Sequence, residues 1–130
     1  MKADMLQVVD PHIHLWNLQQ LHYPWLADPK LTFGGDNRLL AATYEPAQFL
    51  ADAQGVEVLA VVHVDAGHDP ANPLAETRWL QSLADAGGLP QAIVAYADLS
   101  QPDVHALLAA QAAHRNVRGI RQILNVHPNP

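Results

Sequence analysis

The fold is decided near the start of the chain, by the stretch Leu6-Gln7-Val8-Val9-Asp10-Pro11-His12-Ile13-His14. An apolar run with strand character leads directly into two histidines that a single residue separates. Because successive side chains of a strand point to opposite faces, His12 and His14 project from the same side, with Asp10 in line behind them. Two imidazoles about 6–7 Å apart on one face can share a cation. The pattern predicts a metal site, although two histidines where a strand runs into a loop are also ordinary polar residues.

Length and composition indicate one soluble domain over residues 1–130. The chain is 49% hydrophobic and 15% charged, which is typical of a globular protein. Its formal net charge of −6 disfavours nucleic acids and anionic membrane surfaces as partners. Cysteine is absent, which excludes disulfides and thiolate chemistry and fits a reducing cytoplasm. No signal peptide or bilayer-spanning run is evident, so we expect a cytoplasmic protein.

Four apolar runs and the helical patterns between them predict a parallel α/β sheet. The runs are Gln7–Asp10, Val56–Val64, Ala92–Ala97 and Val117–Leu124. The helix candidates are Glu45–Ala53 with Thr43 as cap, Leu74–Ala86, and Gln101–His114 with Ser100 as N-cap and Asp103 in a capping box. Strands that alternate with helices call for right-handed crossovers and place chemistry at the carboxyl ends of the strands.

The segment from Leu15 to Leu40 has no clean periodicity and is rich in aromatic residues. Long connections of this kind are usually functional. Two interpretations are open: the segment walls a pocket at the mouth of the sheet, or it packs over the strand ends for stability alone. The residues concerned are Trp16, Tyr23, Pro24, Trp25, Pro29, Phe33, Gly34 and Gly35.

The opening motif resembles that of the amidohydrolase-2 family, a group of TIM-barrel hydrolases that includes sugar-lactone and 2-pyrone-4,6-dicarboxylate lactonases. The resemblance rests on Val9–Trp16 together with Tyr23-Pro24-Trp25-Leu26. Three later segments fit the same pattern: Val62–Ala66, Ala95–Leu99 and Val117–Arg121. The match runs from about residue 8 to the end of the chain.

The resemblance implies a (β/α)8 barrel in which His12 and His14 belong to the metal or substrate site. The divalent metal would be zinc, with manganese as the alternative, and some family members work without one. The resemblance also implies that Arg121 helps to hold an anionic or polyhydroxylated substrate, and we predict Trp16 and His63 as further substrate contacts. The family's later histidines and the aspartate that serves as general base have no positions in this sequence.

A barrel of this class needs roughly 250 residues. We therefore expect the amino-terminal half of a TIM barrel, with about four strands and outer helices. Such a half-barrel has two open edges, which a homo-oligomer or a second polypeptide would cover.

The polar residues at the strand ends have structural interpretations beside the functional ones. Asp10 either orients a histidine or begins a turn with Pro11. His63 and Asp65 either line a pocket or form a hydrogen-bonded pair. Asp98 precedes a helix, where a carboxylate is favourable whatever its function. Arg121 either contacts a substrate anion or forms a structural salt bridge.

Two functions are carried forward. The first is a metal-dependent hydrolase that cleaves the C–O bond of a lactone or ester in a small carboxylated or sugar-derived substrate, or less readily a C–N bond. The second is a catalytically inactive half-barrel, either a fragment or a structural subunit that needs a partner to complete the site. A related barrel acting on phosphoesters or nucleic acid is disfavoured by the acidic charge balance.

Overall fold

The computed structural model describes residues 4–28, 31–32 and 35–126. Pro29, Phe33 and Gly34 of the predicted aromatic segment lie outside this range, as do the residues from 127 onward. Short 3₁₀ turns span Asn37–Leu40 and Leu124–Val126. The helices and strands follow the chain as β1 (Leu6–Ile13), α1 (Pro24–Ala27), β2 (Leu31–Thr32), β3 (Gly35–Asp36), α2 (Pro46–Asp52), β4 (Val56–Val64), α3 (Pro73–Gly87), β5 (Ala92–Tyr96), α4 (Val104–Ala112) and β6 (Val117–Arg121).

The predicted parallel sheet is confirmed, with one strand at each of the four apolar runs. The strand order is β1-β4-β5-β6, and every neighbouring pair is parallel. The register places Ile13 beside His63 and Tyr96 beside Arg121. The carboxyl ends of β1, β4 and β6, which carry the predicted site residues, therefore meet at one rim of the sheet.

One face of the sheet is buried under helix α3 and the other is open. Ile93 and Ala95 of β5 are fully buried in a core that contains Trp79 and Leu80 of α3. The alternate residues of β5 are only half-buried, although the strand is apolar on both faces. A strand inside a closed barrel is covered on both sides. Burial on a single side is what half of a barrel produces.

The outer strands of this sheet each have one neighbour in the described part of the chain. β1 pairs with β4 alone, and β6 pairs with β5 alone. The exposed side chains of Leu6 and Val9 lie on the β1 edge strand. In the described residues, no helix is long and apolar enough to cross a membrane.

Two predicted helix caps are wrong. Helix α2 begins after Glu45, which forms a reciprocal capping box with Gln48, and Thr43 instead accepts a hydrogen bond from the Leu18 backbone N–H. Helix α4 begins at Val104 after Asp103, which makes no side-chain cap hydrogen bond, and the Ser100 hydroxyl donates to Asp98. Polar residues before both helices found tertiary or turn partners that sequence spacing does not reveal.

The aromatic segment folds over the rim of the sheet. Trp16, Tyr23 and Leu26 are buried and pack with Ala66, which follows β4. Backbone hydrogen bonds in both directions join Trp16 to Tyr44. The packing role of this segment is therefore real, and its relation to a cavity is described below.

Candidate metal and substrate site

The two histidines of the opening motif converge at the end of β1. The Nε2 atoms of His12 and His14 lie 3.3 Å apart, and the ring centroids lie 5.0 Å apart in an edge-to-face arrangement. Two nitrogens at the usual Zn–N distance of about 2.0–2.1 Å, subtending a tetrahedral angle, are separated by about 3.4 Å. The imidazole pair therefore fits the spacing of two ligands on one small cation.

The environment of His14 fixes the tautomer of its ring. Its Nδ1 lies 2.7 Å from the backbone carbonyl oxygen of Val64, so Nδ1 carries the proton and Nε2 keeps its lone pair. Burial lowers the pKa of His14, and the nearby His12 acts in the same direction. A neutral imidazole is the form that binds metals.

The described residues offer this pair no third ligand. Among them, no group of three or more histidine or carboxylate side chains is arranged to hold a metal ion. Asp10 uses Oδ1 to accept a hydrogen bond from the His12 backbone N–H, which is the turn role considered for it. The described residues thus bring two imidazole nitrogens together without a third candidate ligand beside them.

His63 lies beneath the site rather than in it. The side chain is fully buried, and its Nε2 donates to the backbone carbonyl of Leu15 at 3.1 Å. Neither nitrogen of the His63 ring forms the hydrogen bond to Asp65 that was considered for it. Burial lowers the pKa of His63 to about 3, so the ring is neutral. Its Nδ1 is buried with no partner among the described residues, and the substrate role of His63 stays a prediction.

Arg121 reaches from the end of β6 to the end of β4. Its Nη2 donates to the backbone carbonyl of Asp65 and lies 3.4 Å from the Asp65 carboxylate. The Arg121 side chain is 29% exposed, whereas that of Asp65 is 4% exposed. The Nε–H of Arg121 is buried without a partner in the described part of the chain. The salt bridge considered for Arg121 is thus present but long, and the Nε–H donor of Arg121 is not used by the described residues.

Glu76 is a buried carboxyl group that the sequence analysis missed. It accepts hydrogen bonds from the Tyr23 hydroxyl at 2.8 Å and from the Ala66 backbone N–H at 3.3 Å. Burial raises the pKa of Glu76 to about 7. The signal was available: Glu76 lies three and four residues before Trp79 and Leu80, on the apolar face of α3.

The bonds of Glu76 fix the wall of the site. Ala66 donates its N–H to Glu76 and accepts from the indole Nε1 of Trp25 at 2.8 Å. Gly67 has φ +75°, and a Cβ there would lie 3.0 Å from that indole nitrogen. Glycine is therefore required for Trp25 to pack against the loop.

A cavity of about 1070 Å³ opens above these residues. His14, Trp16, Trp25 and Arg121 lie on its lining, and the substrate contacts of Trp16 and Arg121 stay predictions. The aromatic segment therefore packs over the rim of the sheet and also forms part of the wall of a pocket. Further lining residues that the sequence analysis missed include Leu39, Leu40, Tyr44 and Asp52.

Asp98 has a structural role, although not the one considered for it, because helix α4 begins only at Val104. Its carboxylate accepts hydrogen bonds from the Ser100 hydroxyl and backbone N–H and from the side chains of Gln101 and Gln122. These bonds, those of Ser100 first, lower the pKa of Asp98. The residue ties the β5 exit loop to the end of β6.

No family model matches this chain. The uncharacterized protein y4mH of Sinorhizobium fredii is 46% identical to it over 123 residues, which are 94% of this chain and 41% of that protein. Amidohydrolase 2 from Bifidobacterium longum subsp. infantis matches in structure with a TM-score of 0.65 and 24% identity, over 94% of this chain and 42% of that one. The chain thus spans about two fifths of the length of these relatives. The likeness shows that the fold is that of half a TIM barrel.

Proposed function

We propose that this chain carries the metal-binding and anion-binding part of the active site of a metal-dependent hydrolase of the amidohydrolase superfamily. The single observation that carries the proposal is the 3.3 Å separation of the His12 and His14 Nε2 atoms, where His14 is part of the lining of a large cavity. The amidohydrolase fold of the structural neighbour supports the same class. The reaction we propose is hydrolysis of a lactone or ester bond in a small carboxylated or sugar-derived substrate.

His12 and His14 would hold the divalent cation, which we propose to be zinc, with manganese as the alternative. Such a cation supplies Lewis acidity toward a carbonyl oxygen and lowers the pKa of water. The Val64 carbonyl keeps the His14 ring in the orientation and tautomer that a ligand needs. Arg121, on the same cavity, would orient an anionic group of the substrate.

The proposal leaves the general base to residues outside the described part of this chain. Asp65 is buried beside Arg121, and Glu76 is buried beneath the loop, so neither carboxylate faces the cavity lining. The Asp52 carboxylate does lie on the lining, where it accepts a hydrogen bond from the Tyr44 hydroxyl. We propose that a second polypeptide, or a second copy of this chain, covers the open edges of β1 and β6 and completes the site. A cytoplasmic location remains our expectation from composition.

The alternative is an inactive half-barrel, which the two-ligand donor set favours. Zinc titration followed by native mass spectrometry separates the two. The hydrolase proposal predicts a saturable site for one zinc ion per chain that His12→Gln and His14→Gln each remove. His105→Gln is the matched control, because His105 lies exposed on α4.

Zinc stoichiometry that is the same in the unaltered chain and in both site variants would refute the proposal and leave the inactive half-barrel. Retention of the site in His105→Gln excludes general histidine binding as the explanation. The oligomeric state is read from the same spectra with and without zinc.

A further inference from the structure

We propose that the cavity above His14 takes a ligand with an apolar, preferably planar, body and a single carboxylate, rather than a polyhydroxylated one. The inference rests on the proposed function, since it treats this cavity as the place where substrate binds, and it chooses between the two substrate classes left open there. Three features of the cavity wall carry the inference. The indole N–H groups are already hydrogen-bonded, other polar side chains are engaged as well, and Arg121 is the single lysine or arginine on the described lining.

The aromatic wall presents carbon and not hydrogen-bond donors. Trp16 and Trp25 pack edge to face with their ring centroids 5.6 Å apart. The Nε1–H of Trp16 donates to the Ala42 carbonyl at 2.7 Å, and that of Trp25 donates to the Ala66 carbonyl at 2.8 Å. Both donors are therefore consumed by the protein backbone. What remains for a ligand is the apolar surface of two rings, which suits another flat apolar body.

Two more polar side chains of the wall are also engaged. The Tyr44 hydroxyl donates to Asp52 at 2.7 Å, and the Thr43 hydroxyl oxygen accepts from the Leu18 backbone at 3.1 Å. The remaining rim is aliphatic, and Leu39 and Leu40 there are 84% and 45% exposed.

A polyol needs a partner for each hydroxyl that it buries, because an unsatisfied buried polar group is costly. This wall supplies few such partners. Exposed leucines beside a large cavity are instead what an apolar ligand would cover.

Arg121 provides the charge that selects a carboxylate. Among the described lining residues it is the single lysine or arginine. Its hydrogen bonds run through Nη2 to Asp65, the carboxylate contact is 3.4 Å long, and the buried Nε–H has no described partner. The positive charge of Arg121 is thus incompletely neutralised by Asp65. The Asp52 carboxylate also lies on the wall and disfavours a second anionic group on the ligand.

Three probe molecules separate the apolar body from the charge. Calorimetric titration in metal-free buffer would compare 2-naphthoate, its neutral amide 2-naphthamide, and gluconate, a polyhydroxylated carboxylate. We expect 2-naphthoate to bind at least about tenfold more tightly than gluconate, since the wall rewards apolar area. We expect it to bind about fivefold to tenfold more tightly than the amide, since charge-assisted hydrogen bonds exceed neutral ones.

Arg121→Gln should bring the affinities of naphthoate and naphthamide together. Arg118→Gln is the matched control, because Arg118 lies exposed on the same strand and bonds to the backbone carbonyls of Arg115 and Val117. It should keep the preference for the acid.

Gluconate binding as tightly as naphthoate, or no binding of naphthoate at millimolar concentration, would overturn the inference. So would an unchanged acid preference in a folded Arg121→Gln. The comparison of the three ligands on the unaltered chain stands even if that variant does not fold. Naphthoate binding without a zinc site at His12 and His14 would count against the hydrolase proposal alone, and a zinc site without naphthoate binding would count against this inference alone.

Discussion

Replacement of Gly67 by alanine tests how the cavity wall is held. Gly67 has φ +75°, and an added Cβ would lie 3.0 Å and 3.1 Å from two atoms of the Trp25 indole. The first of these atoms is the nitrogen that donates to the Ala66 carbonyl. The substitution therefore strains the backbone and displaces the indole from its hydrogen bond at the same time.

The two costs can be estimated separately. A non-glycine residue in the left-handed region costs about 1–2 kcal/mol. Loss of the indole hydrogen bond adds about 0.5–1.5 kcal/mol. Gly67→Ala should therefore lower the free energy of unfolding by about 1.5–3.5 kcal/mol.

Two other glycines serve as controls. Gly88, the residue that follows α3, has φ +88° with no atom within 4 Å of an added Cβ. Gly88→Ala therefore carries the backbone strain alone. Gly87 has neither a positive φ nor a close neighbour, so Gly87→Ala should be nearly neutral or slightly stabilising. Urea unfolding followed by tryptophan fluorescence gives all three values. A loss in Gly67→Ala no larger than that in Gly88→Ala would refute the role assigned to Trp25.

Three more predictions concern the buried interior, and urea unfolding checks each of them. The ordinary pKa of glutamate is 4.5, and the pKa of Glu76 in the fold is about 7. Between these two pH values, the unfolded chain releases a proton that the native state keeps. The free energy of unfolding should therefore fall by roughly 3 kcal/mol as pH rises through this window, and Glu76→Gln should flatten the slope. His63 acts in the opposite direction. Its pKa is lowered from 6.5 to about 3, so the free energy of unfolding should fall as pH falls through that range. A folded His63→Gln with the same acid profile as the unaltered chain would contradict this. Leu80→Ala, at a fully buried position, should cost about 2–5 kcal/mol, whereas Leu39→Ala, at an 84% exposed one, should stay within about 0.5 kcal/mol.

The core of the fold followed from local patterns in the sequence. β4 was predicted with its observed bounds, Val56–Val64, because nine consecutive residues are nearly all apolar. Its neighbours were found to within a few residues, and so was helix α3, which ends in a glycine pair. The cap of α2 was missed because Thr43 bonds to Leu18, which folding brings close, and that of α4 because Ser100 bonds to Asp98 in a local turn.

The candidate site was predictable where it depends on strand periodicity. His12 lies on β1 and His14 directly follows its last residue, and the spacing of two residues predicted that their side chains share a face. The cavity wall was less predictable, since the bridge between Trp16 and Tyr44 joins residues that are far apart in the chain. The fully buried state of His63 was not foreseen, because alternation predicts a face and not how deeply a neighbouring segment covers it.

The amino-acid sequence by itself determined the parallel sheet, the helix between each later pair of strands, and the histidine pair at one strand end. These features depend on side-chain order along a short stretch, which tertiary contacts do not alter. Only the tertiary structure decided that the Nε2 atoms of the histidine pair lie 3.3 Å apart and that Arg121 reaches Asp65. It also decided that Glu76 accepts a hydrogen bond from the loop that Trp25 contacts. Those distances join residues on separate elements, and only the packing of helices and loops against the sheet sets them.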